Sequence, residues 1–200
     1  MSAASPPLPK ALAALAQQQS FAAGDRVFRA GAAARHVHFL VQGQVRLSRF
    51  GRQGEAVVIH AALAGEYFAE ASLHSERYHC DAEVLQPALV ASIPSSALRE
   101  LLQRDAEFAM HWVAILSRQL RQTRARVERL SLKGAAERVR HLLLTEGKGL
   151  AHQYTLRGSV KDLAAELGLT HEALYRTLAA MEQQGVIERR ATTITLRGGR

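Results

Sequence analysis

The sequence predicts an α+β protein: an antiparallel all-β unit comes first, and helices ending in a winged helix-turn-helix follow. Three observations carry this. Between Phe21 and about Pro94, short Val/Phe/Leu-rich runs are punctuated by Gly24, Gly31, Gly43, Gly51, Gly54 and Gly65, a spacing of roughly eight to twelve residues that suits short strands. Beyond Ser95 the apolar period becomes helical. Near the C-terminus, SVKDLAAELGLTHEALYRTLAAMEQQGVIERR carries a small residue, a glycine four later and an aliphatic six after that, the spacing of two helices crossing at a tight turn. The expected organisation is a tail and short helix over 1–20, a β domain over 21–104, a long helix over 105–132 and a winged helix-turn-helix over 133–200.

Composition bounds the rest. With 200 residues, 48% hydrophobic and 22% charged, the chain can bury a core. No apolar run is long enough to span a bilayer, and MSAASPPLPK has no apolar stretch of a signal peptide, so a cytoplasmic protein without a membrane partner is expected. Cys80 is the only cysteine. That excludes an internal disulfide, a Cys-rich zinc site and an iron–sulfur cluster held by one chain, and no metal site is expected. Residues 121–200 hold 15 Lys/Arg against 8 Asp/Glu, which places seven of the eight excess positive charges there. A basic segment of this kind suits a polyanion, because neutralised phosphates release counterions.

Residues 1–9 read as a disordered tail, and LPKALAALAQQQS as a short helix. Strand-like runs follow in DRVFRAG, HVHFLVQG, QVRLSRFG, AVVIHAALAG and CDAEVLQPALVASIP, and alternation in Val45, Leu47, Phe50 and in Val57, Ile59 suits half-buried strands. SSALRELLQRD predicts a helix opened by a Ser cap. In the next helix, Val113, Leu116, Leu120, Thr123, Val127 and Leu130 recur at alternating spacings of three and four. Such a narrow seam predicts pairing with a twin helix in a homodimer. A boundary is expected near residues 131–136.

Within the helix-turn-helix, Ser159 and Asp162 form a capping box, Val160, Leu163 and Leu167 face inward, and Ala164 lets the helices approach. Gly168 permits the positive φ of the turn, and Thr170 caps the second helix. Leu174 and Leu178 would face the core, leaving His171, Glu172, Tyr175 and Arg176 on the outer face near the N-terminal end, where a recognition helix meets base edges. An Arg can bond guanine O6 and N7 together, and a carboxylate can accept from cytosine N4. VIERRATTITLRG reads as the two strands of a wing. Arg189 and Arg190 there, with Lys161 on the first helix, are the phosphate-contact candidates on double-stranded DNA.

FAAGDRVFRAG, HFLVQGQVRL, LAGEYFAEASL and DLAAELGLTHEALYRTLAAMEQQGVI together resemble the CRP/FNR family of transcription regulators over about residues 20–197. The resemblance implies an N-terminal β-roll of the double-stranded β-helix, jelly-roll type, related to cyclic-nucleotide-binding domains, then a dimerisation helix and a winged helix-turn-helix. It implies a homodimer on an inverted repeat, with RNA polymerase as partner. Glu172 and Arg176 match the family's base readers, and His171 stands where cyclic-AMP-responsive members have another Arg. The effector pocket implied is Glu70, Cys80 and Asp81 with Thr123 and Arg124. Glu70 matches the ribose-binding Glu, with Ala69 in place of the usual glycine. Cys80 and Asp81 occupy the Arg-Ser positions that hold phosphate elsewhere, so cyclic-AMP control is not expected and the effector is unidentified. Arg77 lies three residues earlier, on the opposite face if the segment is a strand.

Other readings differ in class. Several cysteines hold the cluster of the family's oxygen-sensing branch, and this chain has one. Haem is disfavoured although His79 adjoins Cys80, since neighbouring strand residues point apart; thiol-based sensing and constitutive DNA binding are the remaining alternatives. An enzyme using Glu66, Glu70, His74 and His79 is the remote one, and no catalytic residue is assigned because no nucleophile elbow or phosphate loop accompanies them.

Overall fold

The computed structural model describes residues 8, 10–51 and 56–197. Residues 1–7 and 9, where most of the expected disordered tail falls, lie outside the described residues. The order is α1 (Lys10–Ala13), β1 (Gln17–Phe21), β2 (Arg26–Phe28), β3 (His36–Phe50), β4 (Ala56–Leu63), β5 (Tyr67–Phe68), a 3-10 turn at Glu70–Ser72, β6 (Asp81–Pro94), α2 (Ser95–Arg104), α3 (Ala106–Ser131), α4 (Ala135–Glu146), β7 (Tyr154–Thr155), α5 (Val160–Glu166), α6 (His171–Gln183), β8 (Ile187–Arg190) and β9 (Thr193–Leu196). Two compact units result, the first ending at Trp112 and the second beginning at Val113 within α3.

In the first unit an antiparallel sheet runs β1-β6-β3-β4, with β2 on β6 and β5 on β3. The helix expected across LPKALAALAQQQS is confined to α1, and QQQS is strand instead, with Gln17 opposite Ser92 and Phe21 opposite Ala88. The weak helical preference of Gln loses there to the hydrogen bonds that β6 offers. The inward faces bury Phe28, Leu40, Val45, Phe68, Val84 and Val90. Gly43 is required where β3 crosses β6: its φ is +92°, and a Cβ would stand 2.5 Å from the carbonyl oxygen of Pro87.

Two local expectations fail for identifiable reasons. Val45 and Leu47 are buried, but Phe50, Val57 and Ile59 are exposed. Phe50 lies an odd number of residues from both Val45 and Leu47, so strand alternation turns it to the opposite face, and the β3–β4 register shift between Leu47 and Ser48 puts the extra residue of the bulge at Ile59 in β4. The Ser cap of α2 is absent too. Pro94 occupies the cap position, and Ser95 is buried with its hydroxyl 3.4 Å from the Ala34 carbonyl to which it donates.

His38 sits in the core between Phe28 and Phe68, with ring centroids at 5.3 and 5.1 Å. Burial, with His36 adding, pushes its pKa down to about 3 from 6.5. The unfolded chain therefore takes up a proton that the folded chain refuses. The stability due to neutral His38 is whole above about pH 6.5 and is lost as pH falls toward about 3. Partly buried Glu70 and Glu166, whose pKa values burial raises, act in the opposite sense. Thermal melts of the wild type should therefore lose more between about pH 7 and about pH 4 than melts of His38→Phe. Parallel pH profiles would sink this account.

In the second unit Val139, Leu142 and Leu143 of α4, Leu163 and Leu167 around α5, Leu174, Leu178 and Met181 of α6, and Ile187, Ile194 and Leu196 of the small sheet form one core. That sheet runs β7-β9-β8. Among the described residues no helix is long and apolar enough to cross a membrane.

Candidate DNA-binding surface and effector region

The α5–α6 pair is built by the capping expected of it. Ser159 Oγ accepts from the Asp162 N–H at 3.2 Å while Asp162 Oδ2 accepts from the Ser159 N–H at 2.9 Å. Gly168 turns the chain at φ +62°, and Thr170 Oγ1 accepts from the Ala173 N–H at 3.1 Å to start α6. Ala164 and Leu174 are buried where the helices meet. These contacts leave His171, Glu172, Tyr175 and Arg176 exposed together on one face of α6. Tyr175 is 57% exposed, unusual for so large a ring, with its centroid 6.4 Å from that of His171. Hydrogen bonds from its own backbone N–H and from Thr170 hold the Glu172 carboxyl below its usual range, with His171 and Arg176 adding. That face can accept through a carboxylate and donate through a guanidinium one turn away.

The remaining DNA-contact candidates are unequal. Lys161 is exposed on α5. Arg190 is exposed on the wing, paired with Glu188 at 2.7 Å. Arg189 is bound to Glu182 of α6 through its Nε at 2.9 Å and its terminal nitrogen at 2.8 Å, and its N–H donates to the same carboxylate. Its guanidinium fastens the wing to the recognition helix.

Sequence spacing did not single out two further arginines. Arg138 of α4 donates to the Leu132 carbonyl at 2.8 Å and to those of Leu167 and Gly168 at 2.9 and 3.2 Å, holding the turn of the helix-turn-helix against the end of α3. Arg129 of α3 is 0% exposed. It pairs with Glu146, reaches Glu166 of α5 at 3.5 Å, and shares Glu146 with Arg157, which lies 3.1 Å from that carboxylate. Burial, then Glu146, raises the Glu166 pKa, while the arginines oppose the shift. Spacing cannot find these residues, because an Arg beside an apolar seam reads as solvent-facing.

The seam residues Val113, Leu116, Leu120, Val127 and Leu130 are all exposed, with Val127 at 62%, and Met110 continues the apolar stripe at 67%. Thr123 is exposed among them and returns its hydroxyl to the Gln119 carbonyl at 3.0 Å. Arg124 is exposed on the same helix.

In the β-roll, Ala69 takes the left-handed conformation at φ 64°, where glycine is at ease, and opens the turn that carries Glu70. Glu70 Oε2 is buried without a hydrogen-bond partner among the described residues, and burial raises its pKa, with Glu66 adding to the rise. Asp81 accepts from the Ala30 N–H at 2.7 Å and lies 3.7 Å from Arg26. Cys80 is buried, and burial pushes its thiol pKa up. Residues 79–80 form a bend, so the strand-parity arguments about Arg77 and His79 do not apply. Arg77 is instead committed to the Gly31 carbonyl at 2.7 Å, and His79 Nε2 lies 3.2 Å from the Ser72 hydroxyl. Glu66 accepts from the Leu63 N–H at 3.0 Å, a turn-closing role.

Comparison with known proteins supports both halves. The cyclic nucleotide-binding domain profile matches residues 18–105, and the Crp-like helix-turn-helix domain profile matches residues 137–198. The chain is 30% identical over 183 residues to the nitrogen fixation regulation protein FixK of Azorhizobium caulinodans, covering 88% of this chain and 73% of that protein. It is 25% identical over 187 residues to the cAMP-activated global transcriptional regulator CRP of Haemophilus influenzae, covering 90% and 84%. The solved structure of FixK2 from Bradyrhizobium japonicum superposes with a TM-score of 0.77 at 25% identity, over 92% of this chain and 93% of that one. With a β-roll, a long helix and a winged helix-turn-helix in this order, the chain belongs to the CRP/FNR family of DNA-binding transcription regulators.

Proposed function

We propose that this regulator works as a homodimer on an inverted-repeat operator, with His171, Glu172, Tyr175 and Arg176 of each copy meeting base edges and Lys161, Thr170 and Arg190 positioned for the phosphates. The observation that carries the reading is the exposed apolar stripe from Val113 to Leu130 on the helix that leads into the recognition domain. A stripe of this length on a helix stays in water only at a cost of about 25 cal/mol per Å2, and a second copy of the same stripe is its self-complementary cover. Dimerisation then places two recognition helices on one DNA duplex, matching a two-fold operator. RNA polymerase is the expected further partner.

Analytical ultracentrifugation with fluorescence anisotropy tests it. Wild type should sediment as a dimer and prefer an inverted repeat to a single half-site. Leu120→Glu should sediment as a monomer and lose that preference. A dimer that survives Leu120→Glu and a second seam variant, Val127→Glu, overturns the interface.

Control of this dimer is proposed to come from a signal in the β-roll other than cyclic AMP. The unpartnered Glu70 oxygen could take a ribose hydroxyl, but the phosphate end of the pocket has a thiol at Cys80 and a carboxylate at Asp81. Arg77, the nearest basic residue in sequence, is spent on Gly31. Of the other cations beside this end, Arg26 faces Asp81 and Arg49 donates to the His79 carbonyl, so a phosphate desolvated there would meet a carboxylate and have to compete for both guanidinium groups. Calorimetric titration with cyclic AMP should give no saturable heat; tight one-to-one binding refutes this. Thiol sensing is less well supported, since a buried thiol with a raised pKa supplies little thiolate.

A further inference from the structure

One end of the β-roll opens beside β1 into a cleft of about 630 Å3, within the size range of small-ligand pockets. It shares no lining residue with Glu70, Cys80 and Asp81. Its inner wall is aromatic. Tyr78 stacks on Phe28 with centroids 3.8 Å apart and planes at 16°, and Phe28 stacks on His38 at 5.3 Å and 22°.

Hydrogen bonding fixes the polarity of this wall. The single proton of the Tyr78 hydroxyl goes to the His36 carbonyl at 2.8 Å. Toward His38 the Tyr78 oxygen must therefore accept, so Nε2 at 3.2 Å carries the imidazole proton. The buried ring is neutral, which leaves Nδ1 as an acceptor for the Ser92 hydroxyl at 3.0 Å. With its proton spent on His38, Ser92 Oγ presents only lone pairs to a ligand. At the rim, Arg35 and His36 have no side-chain hydrogen bond or ion pair with any described residue. Arg26, Arg46, Arg49 and Arg77 of the same unit are each engaged with a carboxylate or a carbonyl.

We propose that this cleft binds a small hydroxyaryl carboxylate, its carboxylate on Arg35 and His36, its ring along the Phe28 wall and its hydroxyl donating to Ser92 Oγ. The pieces are complementary in kind. Arg offers paired donors to a planar carboxylate, the parts of Phe28, His38 and Tyr78 that line the cleft offer an apolar wall although their faces are stacked on one another, and Ser92 discriminates for a donor. One permanent cation at the rim favours a monoanion over a phosphate ester.

The test uses the full-length protein labelled with 15N-histidine and titrated with 4-hydroxybenzoate, with benzoate as the probe that lacks the hydroxyl. Saturable one-to-one binding is expected, with the His38 ring resonances shifting while keeping the Nε2–H pattern. Benzoate should bind about tenfold more weakly, as expected for one lost hydrogen bond. Arg35→Ala should weaken both acids by about tenfold or more, as expected for a lost charge-assisted contact. Ser92→Ala should abolish the preference for the hydroxyl. The site is overturned by no saturation up to about 10 mM, by an Arg35→Ala isotherm that matches wild type, or by shifts that spare His38. Since Arg35 is exposed and its side chain holds no partner among the described residues, its replacement tests the site without threatening the fold. None of these readouts involves DNA, so failure here leaves the operator-binding proposal standing.

Discussion

Arg176→Ala should reduce operator affinity by about 2–6 kcal/mol, since a bidentate base contact is worth about 1–3 kcal/mol and a dimer uses two. The residue is exposed on α6 one turn from Glu172, with no packing role to confuse the result. Specificity should fall with affinity: the variant should bind operator and scrambled DNA more nearly alike. Arg176→Lys should retain charge and the salt dependence while still losing discrimination, because an ammonium cannot make the planar two-point contact. Lys161→Ala should do the reverse, weakening all sequences evenly and lowering the salt slope by about one. Anisotropy titrations on the two DNAs at several salt concentrations separate these patterns. An Arg176→Ala protein with undiminished discrimination would remove α6 as the reading element.

The largest stability effect is expected at Arg129. Its side chain is enclosed with Glu146 and Glu166, so truncation to alanine leaves two partly buried carboxylates short of a partner. Breaking such a pair costs about 3–5 kcal/mol, whereas replacing every member by neutral groups of similar size can cost little. Denaturant unfolding should therefore show Arg129→Ala strongly destabilised. The triple variant Arg129→Met, Glu146→Gln, Glu166→Gln should recover most of the loss. Arg157 also holds Glu146, which softens the single-variant effect and does not cancel it. A triple variant no better than the single would show that Arg129 acts by packing its aliphatic stem. Because Arg129 joins α3 to α4 and α5, the triple variant is also informative about DNA. If the cluster sets the angle of the recognition helix, affinity falls even where stability returns.

The C-terminal reading succeeded where local chemistry decides structure. Ser159 and Asp162, Gly168 and Thr170 act within three or four residues of themselves, and each makes the contact its position implies. Failures came where distant strands intervene. Gln17 to Ser20 pair with β6, more than sixty residues on. Strand parity does not apply to Arg77 and His79, because their segment bends before β6 begins.

By itself the sequence determined the β-then-helix order, the capped helix-turn-helix with its exposed polar face, and the heptad spacing of the long helix, all consequences of short-range spacing and side-chain chemistry. Tertiary structure alone decided which polar groups are spent. Arg189 is tied to Glu182, Arg77 to Gly31 and Asp81 to Ala30, while Arg35 has no side-chain partner among the described residues and Arg129 is enclosed with two glutamates. The physical reason is that a charge is defined by its neighbours: burial and pairing depend on residues brought together by the fold, from positions no local pattern connects.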